Sequence, residues 1–385
     1  MELIRLGNII HFIKGKKPKV LRKVAQDGDL PYVDIKAAET GSIENYTNGE
    51  KCVPCEEGDL LIVCDGSRSG LVLHACKGYV GSTLAKISAD GVLNEYLRYF
   101  IMGLFTMLNT QMKGTGTPHL NKDILNEAKL YLPPLAEQER IVARIEELFS
   151  ELDQAEETLL KTQEALKLYR MSVLKTAFAE LNCNYLTIEE LASNDKYSLG
   201  IGPFGSDLKV SDYTDYGVRL VFVRDITNRF HNGNIKYVSE TKANQLKAHI
   251  TLKGDVLVTK MGDPPGECCI YPLDNPGIVT SDCIKVRVDE EKVLKDFLKY
   301  FILSPQGKAQ ISGMTKGVAQ KKISLARFKK FTCPVPDLAT QEGIISDLRR
   351  KLYWNQQVFN GIMLSLTKSK ALRQSILKKA FEGGL

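Results

Sequence analysis

Two kinds of hydrophobic pattern alternate along the chain. From Glu137 to Phe178 there is no proline or glycine, and apolar or small residues fall at Ile141, Ile145, Leu148, Leu152, Ala155, Leu159, Thr162, Leu166, Tyr169 and Val173, in steps of four and three. That spacing predicts one helix of about 63 Å, at about 1.5 Å per residue, whose stripe needs another helix beside it. Elsewhere, short β-branched runs such as Leu60 to Cys64, punctuated by Gly and Pro, predict strands. A helix is predicted from Asn94 to about Met112 with Asn94 as its N-cap, and its counterpart from Val293 to about Ile311.

The whole pattern is written twice. Leu135-Ala136-Glu137-Gln138-Glu139 returns as Leu338-Ala339-Thr340-Gln341-Glu342, an offset of 203 residues, and YRMSVLKTAF from Tyr169 returns as LRQSILKKAF from Leu372 at the same offset. Further back the offset drifts through small insertions, with LRYFIM at Leu97 against LKYFIL at Leu298 and EGDLLIV at Glu57 against KGDVLVT at Lys253. An ordered series of matches with a slowly changing offset marks duplication of one unit, a strand-rich domain followed by a helix. The borders read 1–134 and 181–336 for the domains and 135–180 and 337–385 for the helices. Proline-rich stops, Leu132-Pro133-Pro134 and Cys333-Pro334-Val335-Pro336, separate each domain from its helix.

In the second helix the equivalent seam is Ile344, Leu348, Lys351, Asn355, Val358, Ile362, Ser365, Ser369, Leu372 and Ile376, and it is more polar. Either those polar positions specify register, or the stripe has rotated onto the face of Ile345, Leu352, Phe359 and Leu366; the rotated face is the preferred reading. A whole domain lies between the helices, so the chain has room to return and pack them antiparallel. The expected fold is α/β in the α+β sense: two strand-rich domains joined by two long antiparallel coiled-coil helices in a pseudo-twofold internal repeat.

Composition narrows the class without deciding it. The chain has 385 residues, 43% apolar and 25% charged, which fits a folded protein of two or three domains. A net charge of +6 suits a phosphate-facing surface but does not require one. No apolar run is long enough to span a bilayer and nine cysteines form no dense framework, so a reducing cytoplasm without membrane contact is expected.

The segment PPLAEQERIVARIEELFSELD at Pro133 to Asp153 and GPFGSDLK at Gly202 to Lys209, on this doubled plan, resemble the HsdS-type specificity subunits of type I restriction-modification systems. The second copy departs at Asp337 and Thr340, where the first has Pro134 and Glu137. The resemblance covers the whole chain and implies two target recognition domains, each reading one half of a split double-stranded DNA site. It implies spacer helices that act as a ruler and dock two methyltransferase subunits, with restriction subunits joining them. Helix residues expected to serve docking and spacing are Gln138, Glu139, Ile141, Ile145, Leu152, Leu159 and Leu166, then Gln341, Glu342, Leu348, Ile362 and Leu372. The chain itself would bind no cofactor and perform no catalysis; S-adenosylmethionine would belong to the methyltransferase subunit, ATP and magnesium to the restriction subunit. A helix of about 63 Å bounds the separation of the readers at roughly 18 base pairs.

Candidate DNA contacts come from basic, glycine-bearing loops, where backbone approaches closely and Lys or Arg neutralises phosphate. In the first domain these are Lys14, Lys16, Lys17 and Lys19, then Arg68, then Lys113, Thr115, Thr117 and His119. In the second they are Ser206, Lys209, Arg224, Arg229, Lys260, Lys316, Gln320, Lys321 and Lys322. The loops after Gly114 and Gly317 are the strongest pair. Other motifs weigh less. Gly200-Ile201-Gly202-Pro203-Phe204-Gly205 matches a dinucleotide pattern only in outline and reads as a surface turn. Asp274-Asn275-Pro276-Gly277 reads as a turn between strands. Cys52, Cys55, Cys64, His74 and Cys76 have zinc-like spacing, but the second copy has Ala248 and Thr251 opposite the first two, so no metal is expected. The competing functions are a self-sufficient DNA methyltransferase, opposed by the missing cofactor motifs, and a coiled-coil adaptor without DNA specificity.

Overall fold

The computed structural model describes residues 3–112, 118–231, 233–317, 321–382 and 384. It divides into two compact units, Met1–Leu160 with Met363–Leu385, and Lys161–Ile362. In the first unit an antiparallel sheet runs in the order Ile10–Lys14, Leu84–Ala89, Leu60–Val63, Val72–His74. A second sheet orders Tyr46–Thr47, Leu30–Val33, Gly78–Val80, Pro54–Cys55, with one parallel pair at its centre. The second unit repeats both orders, as Leu199–Ile201, Cys283–Val286, Val256–Thr259, Cys268–Ile270, and as Tyr237–Val238, Val218–Val221, Gly277–Val279, Ile250–Thr251 with the same parallel pair. Tyr213–Thr214 is added at one edge of the latter sheet.

The repeated EGDLLIV and KGDVLVT runs are the shared inner strands. Leu60, Leu61, Ile62 and Val63 are all fully buried. Because side chains alternate across a strand, Leu60 and Ile62 face the helices while Leu61 and Val63 face the other sheet. Val256 and Val258 against Leu257 divide the second unit the same way. The Gly-Asp before each strand is a turn device. Gly58 and Gly254 take positive φ, and Asp59 and Asp255 accept the Glu56 and Leu252 amides at 2.8 Å. Lys86 neutralises Asp59 at 2.5 Å, and Arg287 neutralises Asp255 at 2.9 Å.

The five longest helices among the described residues are α1 (Asn94–Thr110), α2 (Leu135–Ala177), α3 (Lys295–Leu303), α4 (Pro305–Met314) and α5 (Leu338–Phe381). Two expectations are corrected here. Asn94 is the first helical residue of α1 and Leu93 is its N-cap, with no capping side chain of its own. The second expected helix is two, because Ser304 caps a new helix at Pro305 by accepting the Gly307 amide at 3.1 Å. At Gly307 a Cβ would lie 2.1 Å from the Phe301 carbonyl oxygen, so the tight join requires glycine.

The start of α1 is tied down from a distance instead. Gln138, fully buried, accepts the Leu93 amide at 2.9 Å through Oε1, and its Nε2 donates to the Gly91 and Pro133 carbonyls, both at 2.9 Å. Gln341 repeats this in the second unit with Leu294, Lys292 and Pro336, at 2.9, 2.9 and 2.8 Å. Each glutamine thereby locks the start of a long helix to the start of its domain's own helix. The second long helix gains a further cap where the first has proline: Asp337 accepts the Thr340 amide at 2.9 Å and its hydroxyl at 2.7 Å.

Each unit is closed by the far end of the other long helix. Phe381, ending α5, stands edge-on to Tyr96 and Phe100 of the first unit at 5.0 and 5.3 Å. Its equivalent Phe178, just beyond α2, does the same to Phe297 and Phe301 of the second at 5.3 and 5.2 Å. The repeated Ala-Phe ends of the two helices are therefore docking plugs. Within each unit the helices run antiparallel. In the first, Arg373 meets Asp153 and Ser369 meets Glu156, both at 2.5 Å, so α5 runs backward as α2 advances. In the second, Asn355 donates to the Leu166 carbonyl at 3.0 Å, while Leu174 and Phe178 share a core with Ile345 and Leu348.

The seams differ from the predicted ones in an informative way. Along α2 the stripe advances one residue after Leu152, to Glu156, Leu159, Gln163, Leu166, Arg170 and Val173, leaving Ala155, Thr162 and Tyr169 exposed. Along α5 the inward positions are Ile345, Leu348, Leu352, Asn355, Phe359, Ile362, Leu366, Ser369, Arg373 and Ile376. The second seam thus interleaves the rotated face with the unrotated one, and Val358, Ser365 and Leu372 lie outside it.

Replacing Gln138 or Gln341 by leucine removes three hydrogen bonds and leaves a part-buried amide and two carbonyls without this partner. Each substitution should lower unfolding free energy by roughly 2–4 kcal/mol. Urea denaturation followed by circular dichroism measures it, and an unchanged midpoint for either variant would show that the latch contributes nothing.

Candidate nucleic-acid interface

The basic loops are set by the same backbone device in each unit. After the inner strand the chain turns through Gly66 or Gly262, both with positive φ. It is then zipped to a later segment: Gly66 N–H to the Pro118 carbonyl at 2.8 Å and Leu120 N–H to that of Cys64 at 2.8 Å. In the second unit Gly262 N–H bonds the Lys321 carbonyl at 3.4 Å and Ile323 N–H bonds that of Lys260 at 3.0 Å. His119 is thereby bridged to Asp65, and Lys322 to Met261, at equivalent places.

The chemistry at these places differs. In the first unit Asp65 is held between Lys14 at 2.6 Å and His119 at 2.7 Å. Burial pushes its carboxyl up, but the hydrogen bonds from Lys14 and His119 outweigh burial and hold it below the usual carboxylate range. Lys19 pairs with Glu50 at 2.6 Å, and Arg68 grips both oxygens of Glu39 at 2.8 and 2.6 Å. Lys16 and Lys17 are exposed and meet no acid among the described residues. Lys113, Thr115 and Thr117 lie outside the described residues, as does Gln320 in the second unit.

In the second unit Lys260, Lys316 and Lys322 line one cavity of about 390 Å³ with Phe204 and Arg327. No acid neutralises these three lysines among the described residues. Lys260 is nearly buried, its Nζ donating to the Ser281 carbonyl at 3.0 Å and standing 4.8 Å from the Phe204 ring, which is 59% exposed. Lys321 points to Asp263 at 2.7 Å. Ser206 and Lys209 are exposed on the nearby turns, and the Lys209 amide donates to Asp212 at 2.7 Å. Arg224 is committed internally, donating to the Asn234 carbonyl at 3.1 Å and lying over Phe222 at 4.2 Å. Arg229 lines a different cavity, with Arg170 and Lys299. Sequence reasoning missed Phe204 and Arg327; an exposed aromatic between two glycines in GPFG was the available signal for the first.

The GPFG segment is no surface turn at its start. A Cβ on Gly202 would lie 2.1 Å from the Thr280 carbonyl carbon, and one on Gly15 would lie 2.2 Å from the Gly81 carbonyl oxygen. Both glycines let a basic or aromatic loop leave a strand hard against neighbouring backbone, whereas Gly205 is free of such crowding. Asp274 to Gly277 joins two strands, with the Asn275 carbonyl accepting from the Tyr271 hydroxyl at 3.0 Å. The cysteine set is dispersed: Cys55 donates to the Cys76 carbonyl, Cys64 to that of Ile62, and His74 meets Glu95 at 2.5 Å. Burial pushes the Cys55 thiol up to about 12 and Cys64 up to about 11. All nine cysteines are free thiols, and the described residues contain no cluster of three or more His, Cys, Asp or Glu arranged to hold a metal.

Of the helix residues, Gln138 and Gln341 are engaged as latches, and Ile141, Ile145 and Leu348 are buried in their units' cores. Leu152, Leu159 and Leu166 are half-buried and Ile362 is buried along the coil, whereas Glu139, Glu342 and Leu372 are exposed. No described helix is long and apolar enough to cross a membrane.

The family described as type I restriction modification DNA specificity domain matches residues 1–162 and 207–351, most of both repeats. The chain belongs to this family. It is accordingly a non-catalytic specificity subunit, of the kind that recognises DNA for a type I restriction-modification system. The MjaVIII specificity subunit of Methanocaldococcus jannaschii is 26% identical over 90% of this chain and 85% of its own length. The EcoBI specificity subunit of Escherichia coli is 23% identical over 94% and 81%. Two solved structures share the fold at 18% identity. One, from work described as the structural basis of complex assembly and conformational transition of the type I R-M system, has a TM-score of 0.78 and covers all of this chain and 98% of its own. The HsdS subunit of Thermoanaerobacter tengcongensis has a TM-score of 0.57, covering 100% and 97%.

Substituting Gly202 by alanine in this specificity subunit forces Cβ into the 279–280 backbone, where no flexible side chain can yield. Thermal melting should fall by several degrees, an overpacking cost of about 1–3 kcal/mol. An unchanged melting temperature would mean that close backbone approach does not select this glycine.

Proposed function

We propose that this subunit reads a split duplex target, each domain taking one half-site through the loops zipped at Gly66 and Gly262. The coil is a ruler between them and the docking surface for two methyltransferase subunits, and restriction subunits join that core. The observation that carries this reading is the duplication of one loop device in two units, with lysines that meet no acid among the described residues, Lys16 and Lys17 in one and Lys260, Lys316 and Lys322 in the other. Two linked readers held at a fixed separation would bind together only on half-sites of the correct spacing and face, so joint binding becomes spacing specificity. Phosphate contacts supply affinity and register, while base edges and DNA shape supply the sequence. The chain's relatives, named as specificity subunits, support the assignment of partners; S-adenosylmethionine chemistry falls to the methyltransferase and ATP with magnesium to the restriction subunit.

The deciding experiment is methylation sequencing of DNA exposed to a cognate methyltransferase subunit with and without this chain. Marks are expected only with the chain present, at one two-part motif with a constant gap. Marks without the chain, or without a split motif, would move specificity elsewhere. In a companion binding measurement, Lys316→Ala with Lys322→Ala should weaken binding to all duplexes. The slope of log affinity against log salt should also become shallower by about 0.9 for each phosphate that the variant no longer neutralises. An adaptor with no DNA role would show no change in either quantity.

A further inference from the structure

The duplication supplies an internal control for every charge in the coil, and at one position the two copies disagree. Arg373 of α5 and Arg170 of α2 are equivalent, 203 residues apart. Arg373 is neutralised by Asp153 at 2.5 Å and Glu156 at 3.4 Å, and its guanidinium lies 5.2 Å from the Phe149 ring. At the corresponding places around Arg170 stand Gln356, Phe359 and Leu352. The arginine is retained and both of its acids are gone.

Arg170 instead lines a cavity of about 720 Å³ in the second unit, together with Arg229, Lys299 and Arg349. Lys299 and Arg349 share Asp296, while Arg170 and Arg229 have no acidic partner among the described residues. Glu267, the acid that acts on Arg170 at longer range, is paired with Lys308 at 2.7 Å. Burial and the neighbouring Arg229 both disfavour the charge on Arg170. Arg349 itself replaces Glu146 of the first copy, so the same surface has changed sign between units. The remaining wall is aromatic and apolar: Phe230, Tyr300, Tyr353, Ile270 and Pro272. Arg229 and Phe230 are held there in consecutive left-handed conformations, φ +50° and +64°, and Phe230 is pinned edge-on to Tyr271 at 5.4 Å. Non-glycine residues adopt that backbone only when the surrounding structure compels it.

We propose that this cavity binds a small phosphate-bearing ligand of the nucleotide class, its phosphates taken by Arg170 and Arg229 and its ring by the aromatic wall. The volume lies within the roughly 300–1,000 Å³ of small-ligand sites, and two guanidinium groups lining one cavity suit a multiply charged phosphate better than a single carboxylate. The missing acids of the first copy are replaced by the ligand's own charge. In the first unit the equivalent Arg373 is already taken by Asp153 and Glu156.

The test is titration calorimetry of the full chain with ADP and, separately, inorganic pyrophosphate. Both should bind, ADP more tightly through its ring. Gln356→Asp restores the carboxylate that Asp153 provides in the other unit and should weaken ADP binding about tenfold, the equivalent of one charge-assisted contact. Arg170→Gln should do the same, with urea midpoints and duplex DNA affinity kept in both variants. The proposal is overturned if neither probe binds, or if both variants bind ADP as the parent does. It is also overturned if DNA affinity falls in step with ADP affinity, which would make the cavity part of the DNA surface. Binding of a polyglutamate peptide without binding of ADP would overturn it in favour of an acidic protein segment.

Discussion

Two buried glutamines fix the direction in which each long helix leaves its domain. A long helix leaving a domain through a Pro-rich stop has freedom of direction, and a few degrees at its root become several ångströms at its far end. Gln138 and Gln341 remove that freedom by bonding, in each unit, the start of the domain's own helix, the preceding turn and the last proline carbonyl. A glutamine suits the place because one planar group accepts one hydrogen bond and donates two, the set this junction offers. Buried and fully satisfied, it discriminates between one exit direction and its neighbours more sharply than apolar packing, which tolerates sliding.

The plugs at Phe178 and Phe381 act with the latches. Each long helix is anchored by hydrogen bonds at its root in one unit and by aromatic packing at its tip in the other, so each domain is clasped by one root and one tip. The basic loops proposed to meet DNA then need no rigidity of their own beyond the zip at Gly66 or Gly262. Sequence can vary in them while the scaffold stays constant, and this pair of units displays that difference: Asp65 with its Lys14 and His119 partners in one, an uncompensated lysine cluster in the other.

Much of the fold is legible in the sequence because duplication prints every structural requirement twice. The inner strands, the long helices, their antiparallel return and the two-domain plan all follow from repeated residues. What is not legible arises from side chains acting over long sequence separations. Asn94 has the residue type of a cap, yet the side chain that ties down the start of this helix is Gln138, 45 positions beyond the Leu93 whose amide it accepts. Lys260 and Arg224 read as surface cations, yet one reaches inward to Ser281 and the other to Asn234. Charge pairing is a property of three-dimensional neighbours, so no loop composition could tell Lys19, held by Glu50, from Lys16, which meets no acid among the described residues.

The seam shows the same limit and gives it a use. Glu156, Gln163 and Arg170 occupy inward positions where Ala155, Thr162 and Tyr169 would have continued the heptad, and Asn355, Ser369 and Arg373 do so on the other helix. A seam of leucine alone would be more stable, but antiparallel helices with uniform seams slide by a heptad at little cost. Here a slip would separate Arg373 from Asp153, Ser369 from Glu156 and Asn355 from the Leu166 carbonyl, leaving inward polar groups unpaired. Polar residues in the coil therefore give up stability in favour of register. The ruler proposed for these helices requires a fixed register, since a slip of one heptad is about 10 Å, or roughly three base pairs.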